Sequence, residues 1–128
     1  MRVLLDTHAL LWWLDGDRRL SARVRRVVAD EANDVFVSAA SVWEITTKAR
    51  LGKLPGASDV ADDVPRAVAS QGFLGLPVSL PHAQRAGSLP HPHRDPFARM
   101  LAAQAVMENL PLATNDPQMK ALGVRTIW

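Results

Sequence analysis

Residues 2–16 read Arg-Val-Leu-Leu-Asp-Thr-His-Ala-Leu-Leu-Trp-Trp-Leu-Asp-Gly. Arg2–Leu5 is a short apolar run that stops at Asp6, which predicts a buried strand with an acid at its carboxyl end. His8–Leu14 predicts a helix, closed by Asp15-Gly16. The chain repeats this strand-then-helix unit. Asp34-Val35-Phe36-Val37-Ser38 is β-branched and aromatic and reads as a second strand. A helix is expected from about Ser41 to Leu51, closed by Gly52. Asp95–Asn109 is the strongest helical segment, with Pro96 suited to its first position. Leu112-Ala113-Thr114 reads as a strand, Pro117–Leu122 as a helix ended by Gly123, and Val124–Ile127 as a last strand.

The segments between these are less regular. Ser21 can cap a helix whose Val24, Val27 and Val28 fall on one face. Pro55–Asp63 reads as a polar connection and Val64–Gln71 as a short helix. Leu76–Leu80 is a strand candidate weakened by Pro77. Pro81–Gly87 suits one or two helical turns, and Pro90-His91-Pro92-His93 a rigid loop. Alternating strands and helices call for parallel strands with helices on both faces, a three-layer α/β domain. Ligands of such sheets bind beyond the carboxyl ends of the strands. Asp6 lies at one such end and Asp116 just past another, while Glu44 falls on the helix after the second strand. The sequence thus places three acids where one edge of the sheet can gather them.

The chain has 128 residues, 48% of them hydrophobic. That suits a single domain spanning 1–128, with enough apolar content for a core. No apolar run approaches the roughly 18 residues of a membrane span. Arg2 precedes only three apolar residues before Asp6, too few for a signal peptide. With no cysteine, disulfides and thiolate metal sites are excluded. A cytoplasmic protein without a membrane partner is the expectation. A net charge of +2 permits a nucleic-acid partner without arguing for one. Arg18, Arg19, Arg23, Arg25 and Arg26 form the main basic cluster, read as a solvated helix face in preference to an RNA or partner contact.

A group of carboxylates is costly unless a positive charge offsets it. A hard divalent cation with oxygen ligands does so, and Mg²⁺ suits a few carboxylates plus several waters. Each acid also has a structural role open to it. Asp95 before Pro96 suits an N-cap, as does Asp116 before Pro117. Ser41-Val42-Trp43-Glu44 fits a capping box, and Asp6 can cap the helix after it. His91-Pro92-His93 offers a His-x-His pair, but without cysteine and between prolines it makes a poor zinc site. Trp12, Trp13, Trp43 and Trp128 can stack on bases. Their apolar neighbours favour core or dimer contacts.

Five motifs carry a family resemblance: Leu4-Leu5-Asp6-Thr7-His8, Ser41-Val42-Trp43-Glu44-Ile45, His93-Arg94-Asp95-Pro96-Phe97, Ala103-Gln104-Ala105 and Thr114-Asn115-Asp116. Together they resemble the PIN-domain ribonucleases, above all the VapC-type toxins of bacterial toxin–antitoxin pairs, from Leu4 to Trp128. The resemblance implies a three-layer PIN-like fold with a central parallel sheet flanked by helices. It implies an endoribonuclease that cuts structured RNA such as tRNA or rRNA with Mg²⁺ or Mn²⁺, restrained by a cognate antitoxin protein and paired as a homodimer. The exposed-looking run Leu10–Leu14 offers a surface for that pairing.

By the same resemblance Asp6, Glu44 and Asp116 are metal-site acids, with Asp95 beside them in the catalytic set. Thr114 and Asn115 support the site by hydrogen bonds, or simply fill a polar loop. Arg94 and Arg99 flank it and can hold phosphates or make surface ion pairs. One position departs from the family pattern. The family's usual Asp-Pro-Phe-Asp-Arg becomes Asp95-Pro96-Phe97-Ala98-Arg99, so a ligand expected three residues after Asp95 is a methyl group. Three readings follow: a toxin nuclease impaired by Ala98, a catalytically inactive PIN-fold module that binds RNA or protein, and a small-molecule phosphohydrolase, which only the resemblance disfavours.

Overall fold

A computed structural model describes all of residues 1–128. Five strands form one parallel sheet in the order β3-β2-β1-β4-β5, with β1 at Arg2–Leu5, β2 at Asp34–Ser38, β3 at Leu74–Leu76, β4 at Leu112–Ala113 and β5 at Thr126–Ile127. The period-two alternation of each strand sorts its side chains between two helical layers. Val3, Leu5, Val35, Val37, Ala113 and Ile127 face one layer. It contains α1 (Thr7–Asp15), α2 (Ala22–Ala29), α3 (Ala39–Arg50) and α5 (Val64–Ser70). Leu4, Phe36 and Leu112 face the other, where α7 (Pro96–Met107) lies beside α8 (Gln118–Ala121). On α7 the buried stripe is Ala98, Leu101, Ala102 and Ala105, the spacing of a helix laid on a sheet.

The strand order explains where a site can form. From β1 the chain moves outward to β2 and β3, then returns across the sheet to β4 and β5. The loops after β1 and β4 therefore leave in opposite senses and open a crevice between them, the usual ligand position in such sheets. Asp6 follows β1, and Thr114–Asp116 follow β4.

Several local expectations are corrected. Helix α3 starts two residues earlier than expected, because Ser38 caps it by accepting from the Ala40 amide at 3.0 Å. Strand β2 therefore runs straight into the helix, and the Ser41–Glu44 capping box does not form. The expected strand at Leu76–Leu80 is instead Leu74–Leu76. Pro77 cannot extend the ladder, and Ser79 caps α6 (Leu80–Ser88) in a reciprocal box with His82. The connection at Pro55–Asp63 contains a short helix, α4 (Ser58–Asp62). Only Thr126–Ile127 of the last strand is paired. Leu10–Leu14 is not an exposed patch: Leu10 is fully buried, and Leu11, Trp12, Trp13 and Leu14 pack against the same core. The exposed apolar groups lie elsewhere, led by Leu80 at 88% and Trp43 at 64% exposure.

Buried polar groups tie α6, α7 and β2 together. The fully buried Gln104 accepts from the Ser38 hydroxyl at 2.5 Å and donates to the Pro77 carbonyl at 3.1 Å. His82 accepts from the Ser79 amide at Nδ1, so Nε2 carries the proton and donates to Glu108 at 2.8 Å. Replacing Gln104 with Leu strands the buried Ser38 hydroxyl, while the Pro77 carbonyl, on an exposed residue, can turn to solvent. Gln104→Leu is expected to lower stability by roughly 1–3 kcal/mol, the cost of one unmet buried group. Urea unfolding measures this, and an unchanged midpoint would show that the network carries no stability.

Candidate functional site

The crevice holds a cavity of about 130 Å³ whose wall includes Asp6, Glu44, Asp95, Ala98, Asn115 and Asp116. The four acids proposed from the sequence thus share one small enclosure. Each arrives from a different element: the end of β1, the second turn of α3, the N-cap of α7 and the loop after β4.

Each acid is already hydrogen-bonded. Asp6 caps α1, accepting from the Ala9 amide at 2.7 Å. Burial pushes its carboxyl above the ordinary value, and neighbouring Glu44 adds to the rise. The Thr114 hydroxyl, the Ala9 amide and His8 act in the opposite sense. Glu44 is buried and accepts from the Thr7 hydroxyl at 2.6 Å, and its other oxygen is ion-paired with Lys48 one turn along α3. Ser41 lies 3.0 Å from the Thr7 hydroxyl and can donate to it in turn.

Asp116 accepts from the Gln118 amide at 2.9 Å and meets His93 Nε2 at 3.2 Å. His93 Nδ1 accepts from the Asp95 amide, so the proton sits on Nε2 and points at the carboxylate. The Asp116 amide in turn donates to the Thr114 hydroxyl at 3.1 Å. Asp95 caps α7 through the Phe97 amide at 3.0 Å.

Other sequence expectations resolve differently. Arg99 spends its guanidinium on backbone carbonyls of Ala86 and Gly87 at the end of α6 and of Leu89, His91 and His93 in the loop after it, pinning that loop to the helix. Holding a phosphate there would mean releasing that loop. Arg94 is exposed and stands outside the cavity wall. From the sequence Thr7 was named only within a motif, Ser41 as a helix cap and His93 in a poor zinc pair, and Lys48 not at all, although all four orient or neutralise the acids. The i,i+4 spacing of Glu44 and Lys48 was the one legible signal among them.

The donor set is right in kind for a hard divalent cation, being carboxylate oxygen in a small polar enclosure. A buried carboxylate whose pKa is already raised is also what a cation would offset. The set is short in number. No three acidic or histidine side chains converge on one point. Glu44 turns to Thr7 and Lys48, Asp116 turns to His93, and position 98 contributes a methyl.

A parallel three-layer α/β domain with acids at its switch point defines a class to which nucleases and phosphohydrolases both belong. A family model for the PIN domain matches residues 3–124, and the chain belongs to that family. Ribonuclease VapC16 of Mycobacterium tuberculosis is 42% identical over 62 residues, which is 48% of this chain and 43% of that protein. The match thus spans less than half the length of this curated relative. A chain of VapBC2 from Rickettsia felis, crystallised on a promoter DNA fragment, superposes with a TM-score of 0.71 at 14% identity, covering 99% of this chain and 98% of the other. A chain of a toxin–antitoxin complex from Klebsiella pneumoniae superposes at 0.66 and 19% identity, covering 98% and 96%.

The Thr7 hydroxyl is the donor that holds Glu44 in place. Thr7→Val keeps the shape and removes that hydrogen bond. A hydrogen bond to a charged group contributes about 1.5–3 kcal/mol, so a loss of that size is expected. Thermal unfolding at neutral pH would detect it, and a wild-type melting temperature would mean that Lys48 alone suffices for Glu44.

Proposed function

We propose that this chain is built as a toxin-type endoribonuclease of the PIN family and is impaired by Ala98. The observation that carries the reading is the four-acid cavity at the switch point of a PIN fold, with the Ala98 methyl in its wall where the family pattern has an acid. The sequence match to a ribonuclease supports hydrolysis of RNA. The toxin–antitoxin origin of the superposed chains supports an antitoxin protein as partner.

Asp6, Glu44 and Asp116 would hold the divalent ion, Mg²⁺ or Mn²⁺, which when bound supplies positive charge to the phosphodiester and makes a bound water more acidic. The chain's own residues do the orienting. Thr7 and Ser41 fix Glu44, the Ala9 amide and Thr114 fix Asp6, and His93 with the Gln118 amide fixes Asp116. Asn115 is exposed at the mouth, where it can meet a substrate oxygen. A site held within a fraction of an ångström gains much of its rate from such positioning. With Ala98 in place one fewer carboxylate would be available to hold the ion, and its affinity would be lower.

Ala98 also favours a second reading, an inactive module that keeps the fold to bind RNA or protein. Ala98→Asp separates the two. Purified wild type and Ala98→Asp are compared on total tRNA and rRNA, with and without chelator. The expected result is chelator-sensitive cleavage by Ala98→Asp and little or none by wild type, with growth arrest when Ala98→Asp is expressed without antitoxin. An inert Ala98→Asp that still binds RNA or protein favours the module. Equal, chelator-sensitive activity in both would show that Asp95 serves as the missing ligand.

A further inference from the structure

A second and larger cavity adjoins the acidic one. It measures about 340 Å³, at the lower end of the roughly 300–1,000 Å³ typical of ligand pockets. His8 belongs to the walls of both. One side is a series of flat groups. The His8 ring stacks on Trp12, with centroids 5.4 Å apart and planes 25° from parallel. The Arg19 guanidinium lies 4.9 Å from the Trp12 ring centre. The far side is the apolar turn Leu54-Pro55-Gly56.

We propose that this slot is a subsite for one unpaired nucleobase, next to the phosphate that enters the acidic cavity. The inference rests on the nuclease reading and extends it to how the substrate is gripped. Three features support it. First, planar rings and a guanidinium in series are the surface on which bases stack, whatever their sequence. Second, the charge is wrong for phosphate. Asp17 is held down to about 2 by its hydrogen bonds from Arg19, so those two charges cancel and Asp15 is left over. A neutral base tolerates that lining, and its amino groups can donate to Asp15, whereas a phosphate is repelled. Third, the platform is rigid before any ligand arrives. Trp12 packs on the core and sets its ring 5.8 Å from that of Trp128, edge on. A preformed surface loses little freedom on binding.

The shared His8 wall sets the geometry. A base in the slot and a phosphate beside the carboxylates would be neighbours on one strand. Duplex RNA cannot supply such a base, so the subsite selects loops, bulges and ends.

The test uses the full chain in chelator, where binding is read without cleavage. Fluorescence anisotropy compares a short single-stranded RNA with a strand of equal length carrying abasic nucleotides. The base-bearing strand is expected to bind roughly 5- to 150-fold more tightly, from a stacking contribution of about 1–3 kcal/mol. Trp12→Leu should lose most of that preference and Trp12→Phe keep most of it. Should Trp12→Leu fail to fold, the exposed His8→Ala carries the same comparison. Equal binding of the two strands, or a preference that survives both Trp12→Leu and His8→Ala, overturns the subsite. If Ala98→Asp still cleaves RNA in that case, the nuclease reading stands and only the subsite falls. If no form binds or cleaves RNA, both fall. A variant that loses a protein partner while its RNA binding is untouched would assign the slot to protein.

Discussion

Every carboxylate oxygen buried at the carboxyl edge of this sheet needs a donor or a cation, and that requirement joins the elements around it. No buried side-chain oxygen or nitrogen lacks a partner. Meeting the requirement takes contributions from both halves of the fold. The Thr7–Glu44 hydrogen bond links the loop after β1 to α3. His93 links the loop before α7 to the loop after β4 through Asp116. Asp6 rests on its own helix and on Thr114 from across the switch point. The strand order brings these loops within reach, and the polar contacts then fix how each acid points.

Much of this was legible one segment at a time. Arg2–Leu5 and Asp34–Ser38 declare themselves as strands because apolar runs of that length have nowhere else to be buried. Asp95-Pro96 marks the start of α7 because the two residues satisfy the first turn of a helix in the same way wherever they occur. The fold class follows from alternation alone, and the gathering of acids at one edge follows from the fold class. What was not legible depends on distance in sequence. Ser38 and Ser41 are equally good caps on paper, and only the direct run of β2 into α3 decides between them. The same decision frees Ser41 to meet Thr7 and turns Glu44 away from a capping role. Arg99 looks like a phosphate ligand until five carbonyls, from the end of α6 and the loop after it, are seen to occupy it. Leu10–Leu14 looks like a surface patch until the sheet is present to cover it.

The state of position 98 changes the electrostatics of the whole enclosure. Its side chain is 8% exposed and packs with Leu101, Ala102 and Ala105, so here the cavity wall is continuous with the core. The chain supplies its own compensation for the acids that remain. Lys48 sits on Glu44, His93 donates to Asp116, and helix amides cap Asp6 and Asp95. Each buried side-chain oxygen there thus has a partner within the chain.

A carboxylate at position 98 would upset that balance in a definite direction. It would enter a wall that is now apolar, within one turn of Asp95 and facing three other acids. The N-terminal turn of α7 offers some relief, since amides there favour negative charge by roughly 0.3–1 kcal/mol. That is less than the several kcal/mol needed to keep an extra ion buried without a partner. Lys48 is already engaged by Glu44, and no second cation lines the cavity. The residue would therefore stay protonated, or draw in a divalent ion and pull Glu44 and Asp116 from their present partners towards it. The same substitution would thus supply both a further carboxylate and the unmet charge that a cation offsets. Ala98 introduces neither, and the acids keep the partners they have within the chain.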